Sequence, residues 1–245
     1  MSAGEIAAQR DDHRIVGVDL NFFCQGDDIT DYCANKDAEP PRDCPLCPRL
    51  VAYRLANRVA HPDWWNGPAP SFGDENARLL IVGLAPGRMG ANRTGRPFTG
   101  DYAGKLLYGT LLKLGFARGT YEERPDDGLE LVDCMITNAV RCAPPGNKPE
   151  TSEEHTCRRF LVGRIEALPR LKAIITLGDV SRRNVLKALG KKASDGIPGH
   201  GSTFDAGPYR VFNSYHCSRL NTNTGRLTTG MFENLFRQAK AYLDA

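Results

Sequence analysis

The chain has 245 residues, 41% of them hydrophobic and 25% charged, with a net charge of +3 at pH 7. That balance is ordinary for a globular protein and excludes a wholly disordered or fibrous chain. The longest apolar stretch, around Leu79 to Ala85, falls far short of the ~20 residues that span a bilayer, so no membrane partner is expected. So small a net charge neither demands nor excludes a nucleic-acid partner.

The N-terminus lacks a basic start followed by an apolar run, so a secretory leader is not expected and the chain reads as cytoplasmic. Thiols stay reduced there. The eight cysteines, Cys24, Cys33, Cys44, Cys47, Cys134, Cys142, Cys157 and Cys217, then suggest a metal site before disulfides. Buried free thiols are the plainer alternative.

Residues 1–40 are polar, with few periodic apolar positions, and read as an extension to a single domain over 41–245. Leu50, Val51, Tyr53, Leu55 and Val59 predict a helix after Cys44. A loop rich in Pro, Trp and Gly follows at 62–76. Four apolar runs come next, Leu79–Leu84, Leu131–Val140, Ala173–Leu177 and Tyr209–Tyr215. Short runs of this kind suit strands buried on both faces of a parallel sheet.

Helical patterns separate the runs. Leu106, Leu107, Leu111, Leu112 and Leu114 mark one. A second covers about 152–168, with Thr151 and Glu154 spaced as a capping box. A third covers about 180–189 and stops at Gly190, and the last covers about 229–243. Strands alternating with helices predict one α/β domain, a three-layer α/β/α sandwich.

In such sheets ligands bind outside the carboxyl ends of the strands. Four segments lie there: Gly83-Leu84-Ala85-Pro86-Gly87, Asn138-Ala139-Val140-Arg141-Cys142, Gly178-Asp179-Val180 and His216-Cys217-Ser218-Arg219. The glycines fit neither a dinucleotide fingerprint nor a phosphate loop. Arg88, Arg93 and Arg96 can hold phosphates, and Phe98 is a core plug or a stacking platform for a planar ligand. Asn138 offers a donor and an acceptor to a base edge, or simply caps a turn. His216 ends the last strand, ahead of a polar loop tipped by Leu220. Cys44-Pro45-Leu46-Cys47, with Cys142 and Cys157 far downstream, can supply four thiolates to an iron–sulfur cluster or a tetrahedral zinc. Spacing does not choose between them.

Together these segments resemble the iron–sulfur uracil-DNA glycosylases, most closely family 5, the type b enzymes. The resemblance covers about residues 40–243. It rests on Gly83–Gly87, the run from Asn92 to Asp101, Thr137–Cys142 and the run from His216 to Gly225. Family 4 has an acidic residue before its Ala-Pro-Gly, where this chain has Leu84.

The resemblance implies a four-stranded parallel sheet and a structural [4Fe-4S] cluster on Cys44, Cys47, Cys142 and Cys157. It implies a monomer that removes uracil, and other deaminated bases such as hypoxanthine, from double-stranded DNA. Gly83, Ala85, Pro86, Gly87 and Phe98 would bind the flipped base, and Asn138 would read its edge. His216 would stabilise the departing base. Asp101 would act as a base toward the attacking water, or Asn92 would orient it. Arg93, Arg96, Ser218, Arg219 and Asn221 would contact DNA, and Leu220 would fill the gap in the stack. Cys217 stands where the family usually has Pro, and Leu220 where members often have Gln. Two other readings stay open: a non-catalytic binder of uracil-containing DNA, and a zinc-stabilised hydrolase acting on nucleotides.

Overall fold

The computed structural model describes residues 38–245. Cys24, Cys33 and almost all of the 1–40 extension lie outside the described residues. Ala38 and Glu39, at its end, are tied to the body: Glu39 accepts hydrogen bonds from Arg141 and Arg164, and Ala38 O accepts one from Arg141.

The elements in chain order are α1 (Pro48–Ala60), β1 (Phe72–Gly73), β2 (Leu79–Gly83), α2 (Ala91–Thr94), α3 (Tyr102–Leu114), β3 (Ala117–Arg118), β4 (Glu130–Leu131) and β5 (Cys134–Asn138). There follow α4 (Thr151–Glu166), β6 (Ala173–Leu177), α5 (Asp179–Ala188), β7 (Thr203–Ala206), β8 (Tyr209–Ser214), α6 (Arg219–Asn223) and α7 (Thr229–Asp244). The main sheet runs β1-β5-β2-β6-β8-β7. Its four central strands are parallel, as expected, and the two outer ones pair antiparallel. The outer strands have only two and four residues, too short to show an alternating pattern.

Alternation along β2 explains the layers. Leu79 and Ile81 face a core built with Leu107 and Leu111 of α3 and Phe232 and Phe236 of α7. Leu80 and Val82 face the other way, onto Leu161 and Ile165 of α4 and Val185 of α5. Both faces of the sheet are dry, so the central strands carry apolar side chains in both directions.

Two local expectations need correction, and one helix buries an unexpected face. The run Leu131–Val140 is two strands, because Asp133 takes a left-handed φ of 52° and turns the chain between β4 and β5. The capping box of α4 is Glu150 with Glu153, one residue earlier than Thr151 with Glu154. On α1, Leu55 and Val59 are 50% and 87% exposed, while Arg54 and Asn57 are buried. Leu50 is buried with Val140 and Phe160 beside the cysteines, so only part of the apolar spacing that predicts the helix lies on its buried face. Gly190 does end α5 as expected, with a left-handed φ of 69°.

Progress across the sheet reverses at β2: the chain moves to β5 on one side, then crosses to β6 and β8 on the other. Loops after all four parallel strands therefore gather at one carboxyl edge.

Candidate active site

Gly83 and Asn138 end β2 and β5 and sit directly opposite each other in the parallel register. The ladder runs on beyond them, with Ala139 N–H donating to Gly83 O at 3.0 Å and Val140 N–H to Leu84 O at 2.9 Å. This rigid pairing fixes the Asn138 side chain. Asn138 is 3% exposed, and its Oδ1 is buried with no hydrogen-bond partner. A buried acceptor left unpaired costs about 1–3 kcal/mol, so it marks a place built for a donor.

Phe98 lies beside it. A methyl on Gly83 would touch the Phe98 ring at 2.6 Å and would also strike Asn138 Oδ1. Only glycine leaves room for that ring and amide to meet. Phe98 has a left-handed φ of 53°, uncommon for a large side chain. Its backbone is held there by hydrogen bonds: Tyr121 OH donates to Phe98 O at 3.0 Å, and Tyr108 OH to Pro97 O at 2.5 Å.

His216 follows β8, its ring centroid 6.3 Å from that of Phe98. Burial lowers its pKa, so the imidazole is neutral at pH 7. It also lines a cleft of about 550 Å³ with Gly178, Asp179, Tyr215, Asn221 and Arg226.

Asp101 caps α3, its Oδ1 accepting the Gly104 N–H at 3.2 Å. Its Oδ2 faces the Gly87–Gly90 turn, 3.5 Å from where a methyl on Gly87 would lie. Burial raises its pKa, against the N–H groups of Gly104 and Ala103. Asn92 is occupied differently. It is 2% exposed, and its amide donates to Asn66 Oδ1 at 3.0 Å, pinning the 62–70 loop to α2. Of the two candidates for handling water, Asp101 has an oxygen beside the first loop, while the Asn92 amide nitrogen is engaged by Asn66.

The expected DNA-facing residues divide. Arg93, Arg219 and Leu220 are exposed, Leu220 by 72%. Ser218 caps α6 through the Asn221 N–H. The Asn221 side chain donates to His216 O at 2.8 Å, so it braces the loop rather than reaching outward. Arg96 is not on this face at all. It is 5% exposed, donates to both oxygens of Asp127 at 2.8 and 2.7 Å, and bonds Thr99 Oγ1. Its guanidinium lies near the rings of Phe72, Tyr108 and Tyr121. Its partner stands 31 residues away, which the local run of arginines does not reveal.

Pro86 is buried, and Ala85 packs toward a second centre. Cys44, Cys47 at the start of α1, Cys142 after β5 and Cys157 of α4 line one small cavity with Leu50, Val51 and Phe160. Burial, together with the neighbouring sulfurs, pushes the Cys47 and Cys142 thiols up to about 11 and Cys157 to about 12. Donors point at the sulfurs: Arg141 N–H lies 3.3 Å from Cys157 Sγ, and Arg54 Nη1 lies 3.8 Å from Cys142 Sγ. Arg54 Nε is buried there without a partner. Among the described residues, no group of three or more His, Cys, Asp or Glu is arranged to hold a metal ion. Four thiols from three segments thus line one space, met by the Arg54 guanidinium and the Arg141 backbone N–H, a donor set chemically suited to thiolate ligands. Cys134 and Cys217 sit apart, fully buried in the core. Sequence reading missed Arg54 because its role depends on the fold.

A model of the uracil DNA glycosylase superfamily matches residues 70–243. The chain is 43% identical to a type-5 uracil-DNA glycosylase of Pyrobaculum aerophilum, over 81% of this chain and 88% of that protein.

The chain belongs to the type-5 uracil-DNA glycosylases.

A type-5 uracil-DNA glycosylase of Thermus thermophilus is 42% identical over 80% of this chain and 92% of its own. A type-4 uracil-DNA glycosylase of Pyrobaculum aerophilum is 33% identical over 62% of this chain and 64% of its own. The stronger type-5 match agrees with Leu84-Ala85 in the first loop. Among the described residues no helix is long and apolar enough to cross a membrane.

Proposed function

We propose that this glycosylase flips uracil, and other deaminated bases such as hypoxanthine, out of double-stranded DNA. It then hydrolyses the N-glycosidic bond and leaves an abasic site. The buried, unpartnered Asn138 Oδ1 beside Phe98 carries this reading. A base inside the duplex shields its glycosidic bond, so it must leave the stack before chemistry. Uracil presents an N–H donor beside a carbonyl acceptor. Asn138 matches both, with Oδ1 accepting and its amide nitrogen donating.

Phe98 stacks on the flipped ring. As the bond to the sugar breaks, negative charge grows on the base and positive charge on the sugar. Neutral His216 donates a hydrogen bond to the base oxygen where that charge collects, and a preorganised donor of this kind is worth roughly 3 kcal/mol. Water adds to the sugar carbon that the base leaves and gives its proton to Asp101, a role supported by the nearness of its Oδ2 to the Gly87–Gly90 turn. DNA phosphates stabilise the cationic sugar. Arg93 and Arg219 hold flanking phosphates, and Leu220 fills the vacated stack.

The four converging cysteines, Cys44, Cys47, Cys142 and Cys157, would hold a [4Fe-4S] cluster. It would join the start of α1 to the loop after β5 and to α4, in a structural role. One cleft serves one flipped base, so the protein works as a monomer in the cytoplasm.

The test is release of free base from a uracil·guanine duplex by the full chain and by Asn138→Ala. The wild type should release uracil and the variant should lose at least about 100-fold, because a site built around a hydrogen bond fails without it. Equal rates would remove Asn138 from recognition, and no release by the wild type would overturn the reading.

A further inference from the structure

Leu220 projects from α6, a helix of only five residues. So short a helix has little stability of its own. Two of its ties lie within its own loop, the Ser218 cap and the Asn221–His216 hydrogen bond. A third comes from elsewhere in the chain. The Tyr102 and Thr222 hydroxyls are 3.1 Å apart, in hydrogen-bond contact. The Arg219 guanidinium lies 5.1 Å from the centroid of the Tyr102 ring. Tyr102 opens α3 directly after its cap Asp101, and so belongs to the segment that carries Phe98.

We propose that Tyr102 is a positioning residue that holds the Leu220 helix against the Phe98 segment. It ties the wedge to the base pocket through Arg219 and Thr222, and touches no substrate itself. The inference rests on the glycosylase reading, since it concerns how the base is driven out. A wedge mounted on a fixed helix transmits the pair-opening push, whereas a loose helix must first be ordered at an entropic cost. The benefit of Tyr102 therefore grows with the strength of the base pair to be opened.

The experiment uses the full chain with Tyr102→Ala and Tyr102→Phe. Single-turnover release is measured from duplexes with uracil opposite adenine, opposite guanine and opposite an abasic site. A 2-aminopurine beside the uracil reports unstacking by fluorescence. Losing an exposed cation–π contact and a hydrogen bond should slow Tyr102→Ala about tenfold opposite adenine. The loss should shrink opposite guanine and vanish opposite the abasic site, with the fluorescence change falling in the same order. Tyr102→Phe keeps the ring under Arg219 and should lie between. Equal losses on all three duplexes, or none opposite adenine, would overturn the proposal. A wild type that releases no base fails the glycosylase reading alone, and the fluorescence series still decides Tyr102.

Discussion

The Asn138 side-chain oxygen lies over the α-carbon of Gly83, so close that a single methyl on Gly83 would collide with it. Gly83→Ala should therefore displace either Asn138 or Phe98, whose ring lies 2.6 Å from the same point. Base release should fall at least about 100-fold, since roughly an ångström of misplacement costs that much. The check is single-turnover release alongside a thermal melt. Full activity in a well-folded variant would show that this close approach is not needed.

Arg96 provides a contrast between buried and DNA-facing arginines. Burial alone would raise the Asp127 pKa, but the Arg96 fork, with the N–H groups of Glu122 and Leu129, holds it well below the usual range. Arg96→Gln leaves that buried carboxylate without its counter-ion, held only by the Glu122 and Leu129 N–H groups, at a cost of about 3 kcal/mol. Urea unfolding should show the loss. DNA affinity should keep its salt dependence, whereas Arg219→Gln should flatten the salt slope by about one. The opposite pattern would put Arg96 at the DNA.

Two partly buried histidines shape stability against pH. Burial lowers the pKa of His200 and of His216 from the ordinary 6.5. His200 Nδ1 also faces the Tyr215 N–H at 3.4 Å, and its Nε2 lies 3.2 Å from Met231 O, a pattern that suits the neutral ring. Below pH 6.5 the unfolded chain takes up protons that the folded chain refuses. Their contribution is thus complete above that pH and is lost as pH falls toward the folded values. The melting temperature should hold from pH 8 to 7 and drop by about pH 5.5. His200→Gln should reduce the drop, and an unchanged melting temperature across that range would contradict the assignment.

The sulfur centre predicts colour. The full chain should show broad absorbance near 400 nm with bound iron and sulfide. Serine at Cys44, Cys47, Cys142 or Cys157 should remove or weaken both, while serine at Cys134 or Cys217 should retain them. An iron chelator should bleach the protein and lower its melting temperature together, because the cluster would add a covalent tie between segments otherwise joined by packing and by hydrogen bonds such as those of Arg49 to Glu153. A colourless chain, or loss on Cys134→Ser instead, would refute this ligand set.

Much of the site was legible because it follows from one rule: strand ends at one edge of a parallel sheet must converge. Gly83, Asn138 and His216 needed only correct strand ends. Arg96 and Asn92 fell on the right loop but turn inward, since their partners Asp127 and Asn66 lie in loops that sequence periodicity does not place. The spacing that predicts α1 does not show that Arg54 and Asn57 are buried beside Leu50, because their partners Cys142 and Arg88 lie in loops far along the chain. Tyr102 carries no signal in the sequence, because its partners Thr222 and Arg219 stand more than a hundred positions away.

The most direct measurement is base release from a matched set of duplexes holding uracil opposite guanine, uracil opposite adenine, hypoxanthine or no lesion. Abasic sites are scored by alkaline cleavage, and Asn138→Ala and His216→Ala are run beside the wild type. The account predicts release from the uracil duplexes, none from undamaged DNA, and losses of at least about 100-fold in both variants. A wild type that binds these duplexes yet releases no base would contradict it, and would make the protein a binder of uracil-containing DNA.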